Sequence, residues 1–138
     1  KIAVPKEILY KPARLSDEEF EEVKKHVDYG YDILRNSPGE IIQIAADIAQ
    51  QHHERYDGVG YQHNLNGEDI NLFARCVAIA DVFDALVSKR CYKDQWTPED
   101  ARKEIMDQSG KQFDPKLTAL FDEHFDEFLE VMRKYPDN

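Results

Sequence analysis

Only two cysteines, Cys76 and Cys91, occur in 138 residues. They are too few for a disulfide framework and lack the paired spacing of a zinc knuckle. Both are expected to be reduced thiols of a cytoplasmic protein, with Cys76 packed in an apolar run. No apolar run approaches the ~20 residues that cross a bilayer, so no membrane insertion by this segment is expected. No signal peptide is visible. The chain opens on Lys1 rather than methionine, and we expect further sequence upstream. Basic residues are scarce beside acidic ones, 18 against 28, for a net charge of −10. That balance argues against polymeric nucleic acid, whose phosphates it would repel. A small anionic ligand stays compatible if metal ions and a few cations reverse the local field. Much of the acidity reads as solvated surface.

There is also no repeat, no low-complexity stretch and no alternating strand pattern. What is present is helical period. At 41% hydrophobic residues the chain has material for one core and too much for disorder. We expect a single all-α domain over residues 1–138, a helical bundle of about five helices. Residues 1–15, with Pro5 and Pro12, read as an extended lead. Ser16-Asp17-Glu18-Glu19 is a capping box that opens a helix. Phe20, Val23, Val27, Tyr31 and Leu34 mark its buried face, and Ser37-Pro38-Gly39 ends it. A second helix is expected from Glu40 to Arg55, with Ile41, Ala45, Ile48 and His52 on one stripe. A third spans about Ile70–Ser88. A fourth starts from Thr97, with Pro98 at its first position, and closes by Gly110. A fifth opens at Asp114-Pro115, with Leu117, Leu120, Phe121, Phe125, Phe128 and Met132 as its stripe.

Chemistry concentrates at residues 52–61, His-His-Glu-Arg-Tyr-Asp-Gly-Val-Gly-Tyr. An apolar helix gains nothing from a histidine pair at its end, whereas a metal site does. Adjacent helical positions point about 100° apart. His52 and His53 are therefore expected to reach two ions of a close pair rather than grip one together. The bland alternative is one packed ring and one solvated ring near a helix end. The glycine loop after them is expected to turn its N–H groups and an aromatic ring toward whatever the metals hold. Asp81 lies in the most apolar helix, where an unpaired buried carboxylate is costly. It is favoured as a ligand over Asp84, an ordinary exposed acid. His26 borders the apolar face of the first helix and gains weight if the fold brings it to His52 and His53. His63 reads as a solvated loop residue and His124 as a packed one. Ser88-Lys89-Arg90-Cys91-Tyr92-Lys93 suits phosphate oxygens or, equally simply, a helix C-terminus.

These pieces, in this order, resemble the HD-GYP family, a branch of the HD-domain metal-dependent phosphohydrolases. Lys1-Ile2-Ala3-Val4-Pro5 is similar to the end of the family's His-Asp-x-Gly-Lys and Ile-x-x-Pro element. Lys11-Pro12 followed by Leu15-Ser16-Asp17-Glu18-Glu19, then Lys25-His26, the run 52–61, Ile79-Ala80-Asp81-Val82-Phe83-Asp84 and Arg90-Cys91-Tyr92-Lys93 match in sequence. The resemblance implies hydrolysis of cyclic di-GMP to a linear dinucleotide or GMP by metal-activated water. It implies two or three divalent ions, iron or manganese. His26, His52, His53 and Asp81 would be metal ligands and Lys1 a catalytic contact to the scissile phosphate. Gly60, Tyr61, Arg90 and Lys93 would hold substrate. Two departures stand out. The family's His-Asp pair would lie upstream of Lys1, so the segment alone is expected to bind metal weakly and turn over nothing. Gln62 stands where the family has proline, which should free the loop and add an N–H donor; Cys91 likewise replaces a proline. Two other readings remain: a degenerate regulatory module that binds a diguanylate cyclase or other signalling partner, and a general nucleotide phosphohydrolase.

Overall fold

The computed structural model describes residues 3–88 and 95–135. Among them there is no β-strand, and the backbone is all-α as expected, with a lone bridge between Ser109 and Phe113. Eight α-helices follow in order: α1 Lys6–Leu9, α2 Asp17–Lys24, α3 His26–Leu34, α4 Glu40–Gln51, α5 Leu72–Val87, α6 Pro98–Asp107, α7 Pro115–Glu123 and α8 Phe125–Lys134. A short 3-10 turn, Gly67–Asp69, precedes α5. No described helix is long and apolar enough to cross a membrane.

Local chemistry caps four of the eight described α-helices at their starts. Ser16 caps α2 as a full capping box: its side chain accepts the Glu19 N–H, and the Glu19 carboxylate accepts the Ser16 N–H at 2.7 Å. Thr97 and Asp114 cap α6 and α7, each followed by proline in the first turn, where no intrahelical donor is lost. Asn71 caps α5, and its side chain also donates to Asp47 of α4 at 3.0 Å.

Four features of the expected layout change. The lead contains the short helix α1. The helix expected to run from Ser16 to Leu34 is broken at Lys25, where the His26 ring bonds to the Val23 carbonyl. Such a side-chain bond competes with the helical ladder. The last helix breaks at His124, whose φ of −102° and ψ of 20° leave the helical region. The second helix also ends four residues early, at Gln51.

Helix α3 packs on α4, α4 on α5, and α5 on α6 and α7. The main core joins Ala78, Ile79, Phe83 and Val87 of α5 to Ala101 and Ile105 of α6, and to Phe113, Phe121 and Phe125. Phe83, Phe121, Phe125 and Phe128 meet edge-to-face, the closest rings 4.8 Å apart. Such pairs add ~0.5–1.5 kcal/mol each beyond the area they bury. Val27 of α3 and Ala46 of α4 are buried where those helices meet, with Ile70 and Ala74 also buried.

Several assignments of burial are corrected. Ile41 is 81% exposed, because the buried side of α4 runs through Ala46, one residue and about 100° from the expected stripe. Leu120 is exposed for the same reason, with Thr118 and Phe121 turned inward. Phe20 is half-exposed and lies edge-on to Tyr61 instead of in the core. Cys76 is exposed. His124 is exposed and bonds to Glu127. Cys91 lies outside the described residues.

Candidate metal centre

Three of the histidines converge. His26 opens α3, His52 is the cap residue ending α4, and His53 follows it. Their ligand nitrogens all lie within 4.8 Å of one another. The ring centroids of His52 and His53 are 3.9 Å apart, and that of His26 lies 5.2 Å from His53 and 5.9 Å from His52. The expectation that neighbouring histidines diverge fails here. The helix stops at Gln51, so His53 is not bound to the 100° step.

The backbone fixes the tautomers. His52 Nδ1 lies 3.0 Å from the Ile48 carbonyl and 3.1 Å from that of Ala49, and His26 Nδ1 lies 2.6 Å from that of Val23. A carbonyl can only accept, so each Nδ1 carries a proton, and in the neutral ring each Nε2 then bears the lone pair. This is the arrangement in which ligating histidines are held, with the second nitrogen donating to a carbonyl. Three imidazoles at this spacing fit, in their neutral form, a transition-metal ion.

The loop after His53 is organised by Glu54, which the sequence reading passed over. Glu54 is 4% exposed. Its carboxylate accepts the N–H groups of Tyr61 (3.5 Å), Gln62 (3.0 Å) and His63 (2.8 Å). Those amides therefore wrap around a carboxylate of the chain and are not turned outward to a ligand, as had been expected. A clue was present in sequence: an acid directly before a glycine loop is placed to collect consecutive amides. Gly60 allows the close approach. A Cβ there would stand 2.5 Å from Glu54 Oε2 and 2.8 Å from the Asn64 Cα. The loop start docks far along the chain, with Tyr56 and Asp57 donating to the carbonyls of Gln112 and Lys111 at 3.1 and 2.8 Å.

Tyr61 closes over the histidines. Its ring centroid is 4.8 Å from His53 and 6.1 Å from both His26 and Phe20. Burial raises its phenol above the ordinary value, and the charge of Glu21 adds to the rise. Gln62 does not free the loop. Its N–H is bound to Glu54, and its side chain donates to Asp28 of α3 at 3.1 Å. His63, expected to be solvated, is exposed and also meets Asp28, at 2.9 Å.

Asp81 is not among the residues whose ligand atoms lie within 4.8 Å of one another. It is exposed on α5, beside Ala80 and Asp84, which are exposed too. Of the apolar neighbours that suggested a buried carboxylate, Ile79 and Phe83 are buried on the opposite side of the helix. Lys1, Arg90 and Lys93 lie outside the described residues.

Comparison with known proteins bears on this arrangement. The chain is 49% identical over 137 residues to a 3′3′-cGAMP-specific phosphodiesterase 2 of Vibrio cholerae, covering 99% of this chain and 26% of that protein. It is 49% identical over 116 residues to the cyclic di-GMP phosphodiesterase response regulator RpfG of Xanthomonas campestris, covering 84% and 31%. A cyclic di-GMP phosphodiesterase of Thermotoga maritima is 42% identical over 137 residues, covering 99% and 37%. The chain thus spans between about a quarter and just over a third of the length of these relatives. The solved structure of a cyclic GMP-AMP-specific phosphodiesterase of V. cholerae (V-cGAP3) superposes with a TM-score of 0.65 at 22% identity, over 91% of this chain and 32% of that one. That likeness concerns the fold. A match to the HD domain runs across residues 1–117, and on that extent the chain belongs to the HD-domain family.

Proposed function

We propose that this domain is the metal-dependent phosphodiesterase portion of a cyclic-dinucleotide hydrolase of the HD-GYP branch. The observation that carries the reading is the three-histidine group, with two tautomers fixed by backbone carbonyls. Relatives named for hydrolysis of cyclic di-GMP or cGAMP support the substrate class. His26, His52 and His53 would hold the metal. Imidazoles suit iron among other transition-metal ions, and a carboxylate ligand would extend the choice to manganese. The assignment of Asp81 as that carboxylate rests on the family resemblance. When bound, the metal supplies Lewis-acid activation of water and of the phosphoryl group.

The chain's own residues do the rest. Glu54 holds the amides of residues 61–63, and this fixes the loop beside the histidines. Tyr61 and Phe20 offer ring faces and edges on which a nucleobase can stack. Lys1, Arg90 and Lys93 would add positive charge for the phosphate, as the resemblance implies, and offset the local acidity.

The test is product analysis with the full-length protein, loaded with iron or manganese under reducing conditions. Release of linear dinucleotide or GMP from cyclic di-GMP or 3′3′-cGAMP is expected. His52→Ala should lower bound metal and reduce turnover at least 100-fold. Mononucleotide hydrolysis without cyclic-dinucleotide hydrolysis would point instead to a general nucleotide phosphohydrolase. A regulatory-module reading has one observation in its favour: Val59, at the tip of the loop, is 73% exposed. Signalling that persists after chelation would support that reading over catalysis.

A further inference from the structure

Asp28 sits in the first turn of α3, two residues beyond His26, and is not in the histidine group. It nevertheless gathers side chains from two other elements. Gln62 Nε2 donates to its Oδ2 at 3.1 Å. His63 Nε2 lies 2.9 Å from its Oδ1, and Gln50 Nε2 of α4 donates to the same oxygen at 3.3 Å. A carboxylate accepts only, so the His63 nitrogen is the donor. One acid therefore ties α3, the end of α4 and the loop together.

The loop is held twice over. Glu54 binds its backbone from below, and Asp28 binds its next two side chains from α3. Tyr61 lies beside both anchors, with its ring against His53 and His26. A loop held only by its backbone amides can tilt as a unit. The second attachment removes that freedom and fixes where the Tyr61 ring stands over the histidines.

We propose that Asp28 is a positioning residue: through Gln62 and His63 it sets Tyr61 over the histidine group and so governs how tightly the dinucleotide is seated. This rests on the proposed function, but its structural half does not. The side chain of Gln62 does here what a ring locked at one φ would do by stiffness. The contribution lies in ground-state placement, so it should appear in KM more than in kcat.

The experiment uses the full-length, metal-loaded protein and the cycle formed by Asp28→Ala, Gln62→Ala with His63→Ala, and all three together. Asp28→Ala should raise KM for the cyclic dinucleotide about tenfold, leave kcat within about twofold and leave bound metal unchanged. Amides of residues 61–63 should exchange at least fivefold faster. The combined variant should be no worse than Asp28→Ala alone, because the groups act through one another. The sign of the KM change is itself diagnostic. Removing a negative charge near an anionic substrate would, by charge alone, lower KM. A lower KM, an additive cycle, a joint loss of metal and kcat, or unchanged exchange would each overturn the proposal. If the unaltered protein hydrolyses no cyclic dinucleotide, the functional reading fails on its own. The exchange cycle then decides the latch: non-additive acceleration supports it, and additivity or no change overturns it.

Discussion

At the residue scale, the glycine loop is held by acids outside the histidine group. Glu54 is buried among three amides, and Gly60 is the residue that lets the chain close around it. Removing the carboxylate leaves those donors without their acceptor, and a hydrogen bond to a charged group is worth ~1.5–3 kcal/mol. Glu54→Ala should therefore destabilise the domain by about 3 kcal/mol in urea unfolding. Gly60→Ala should produce a similar loss of amide protection at 61–63 with a smaller global effect, since a methyl group forces the loop away from Glu54. Equal exchange in the Gly60→Ala and unaltered proteins would contradict the close packing. Little of this could be read from the sequence. A lone Glu between two histidines and an arginine has no periodic signal, and its partners lie seven to nine residues ahead, across a turn. The histidine pair was legible because it breaks an apolar helical pattern. Asp81 was expected to be buried because its sequence neighbours are apolar, and it is exposed.

At the element scale, helix starts were legible and helix breaks were not. Ser16, Thr97 and Asp114 cap their helices through side chains only two or three residues from the amides they bind. The breaks at Lys25 and His124 arise inside runs that keep their period. His124 joins α7 to α8 and bonds through Nδ1 to Glu127 Oε1 at 2.8 Å. That hydrogen bond, then the charge of Glu127, holds its pKa above the usual value. The folded state thus binds the proton more tightly than the unfolded one. The stabilisation is complete below about pH 6.5, the ordinary imidazole value, and is lost as pH rises through the raised folded value. In an NMR titration His124 should show a midpoint above that of a free imidazole, and Glu127→Gln should return it. A midpoint indifferent to Glu127 would mean the pair is not formed in solution.

At the scale of the whole molecule, α5 joins two regions: α3 and α4 with the histidines on one side, α6 to α8 with the aromatic core on the other. One polar tie fastens the start of α5 to the start of α7. Arg75 donates to Asp114, whose side chain is 2% exposed, and also to the Ile70 carbonyl at 3.0 Å. Asp114 in turn caps α7 through the Lys116 N–H at 2.8 Å. Breaking a buried pair by removing one partner costs ~3–5 kcal/mol. Asp114→Ala should cost at least that, because the cap is lost as well. Asp114→Asn, which can still cap, should cost less. Denaturant midpoints of the two variants that coincide with the unaltered protein would exclude the tie as a stabilising contact.

The sequence by itself determined the class of fold, the capped helix starts and the metal-type chemistry of His26, His52 and His53. These follow from local hydrogen bonds, from hydrophobic period and from ligand chemistry, none of which needs distant partners. Tertiary structure alone decided that the three imidazoles meet, that Asp81 and Cys76 face outward, and that Glu54 and Asp28 clasp the glycine loop. Those outcomes depend on how α3, α4 and α5 pack, and side chains many residues apart become neighbours only once that packing has formed.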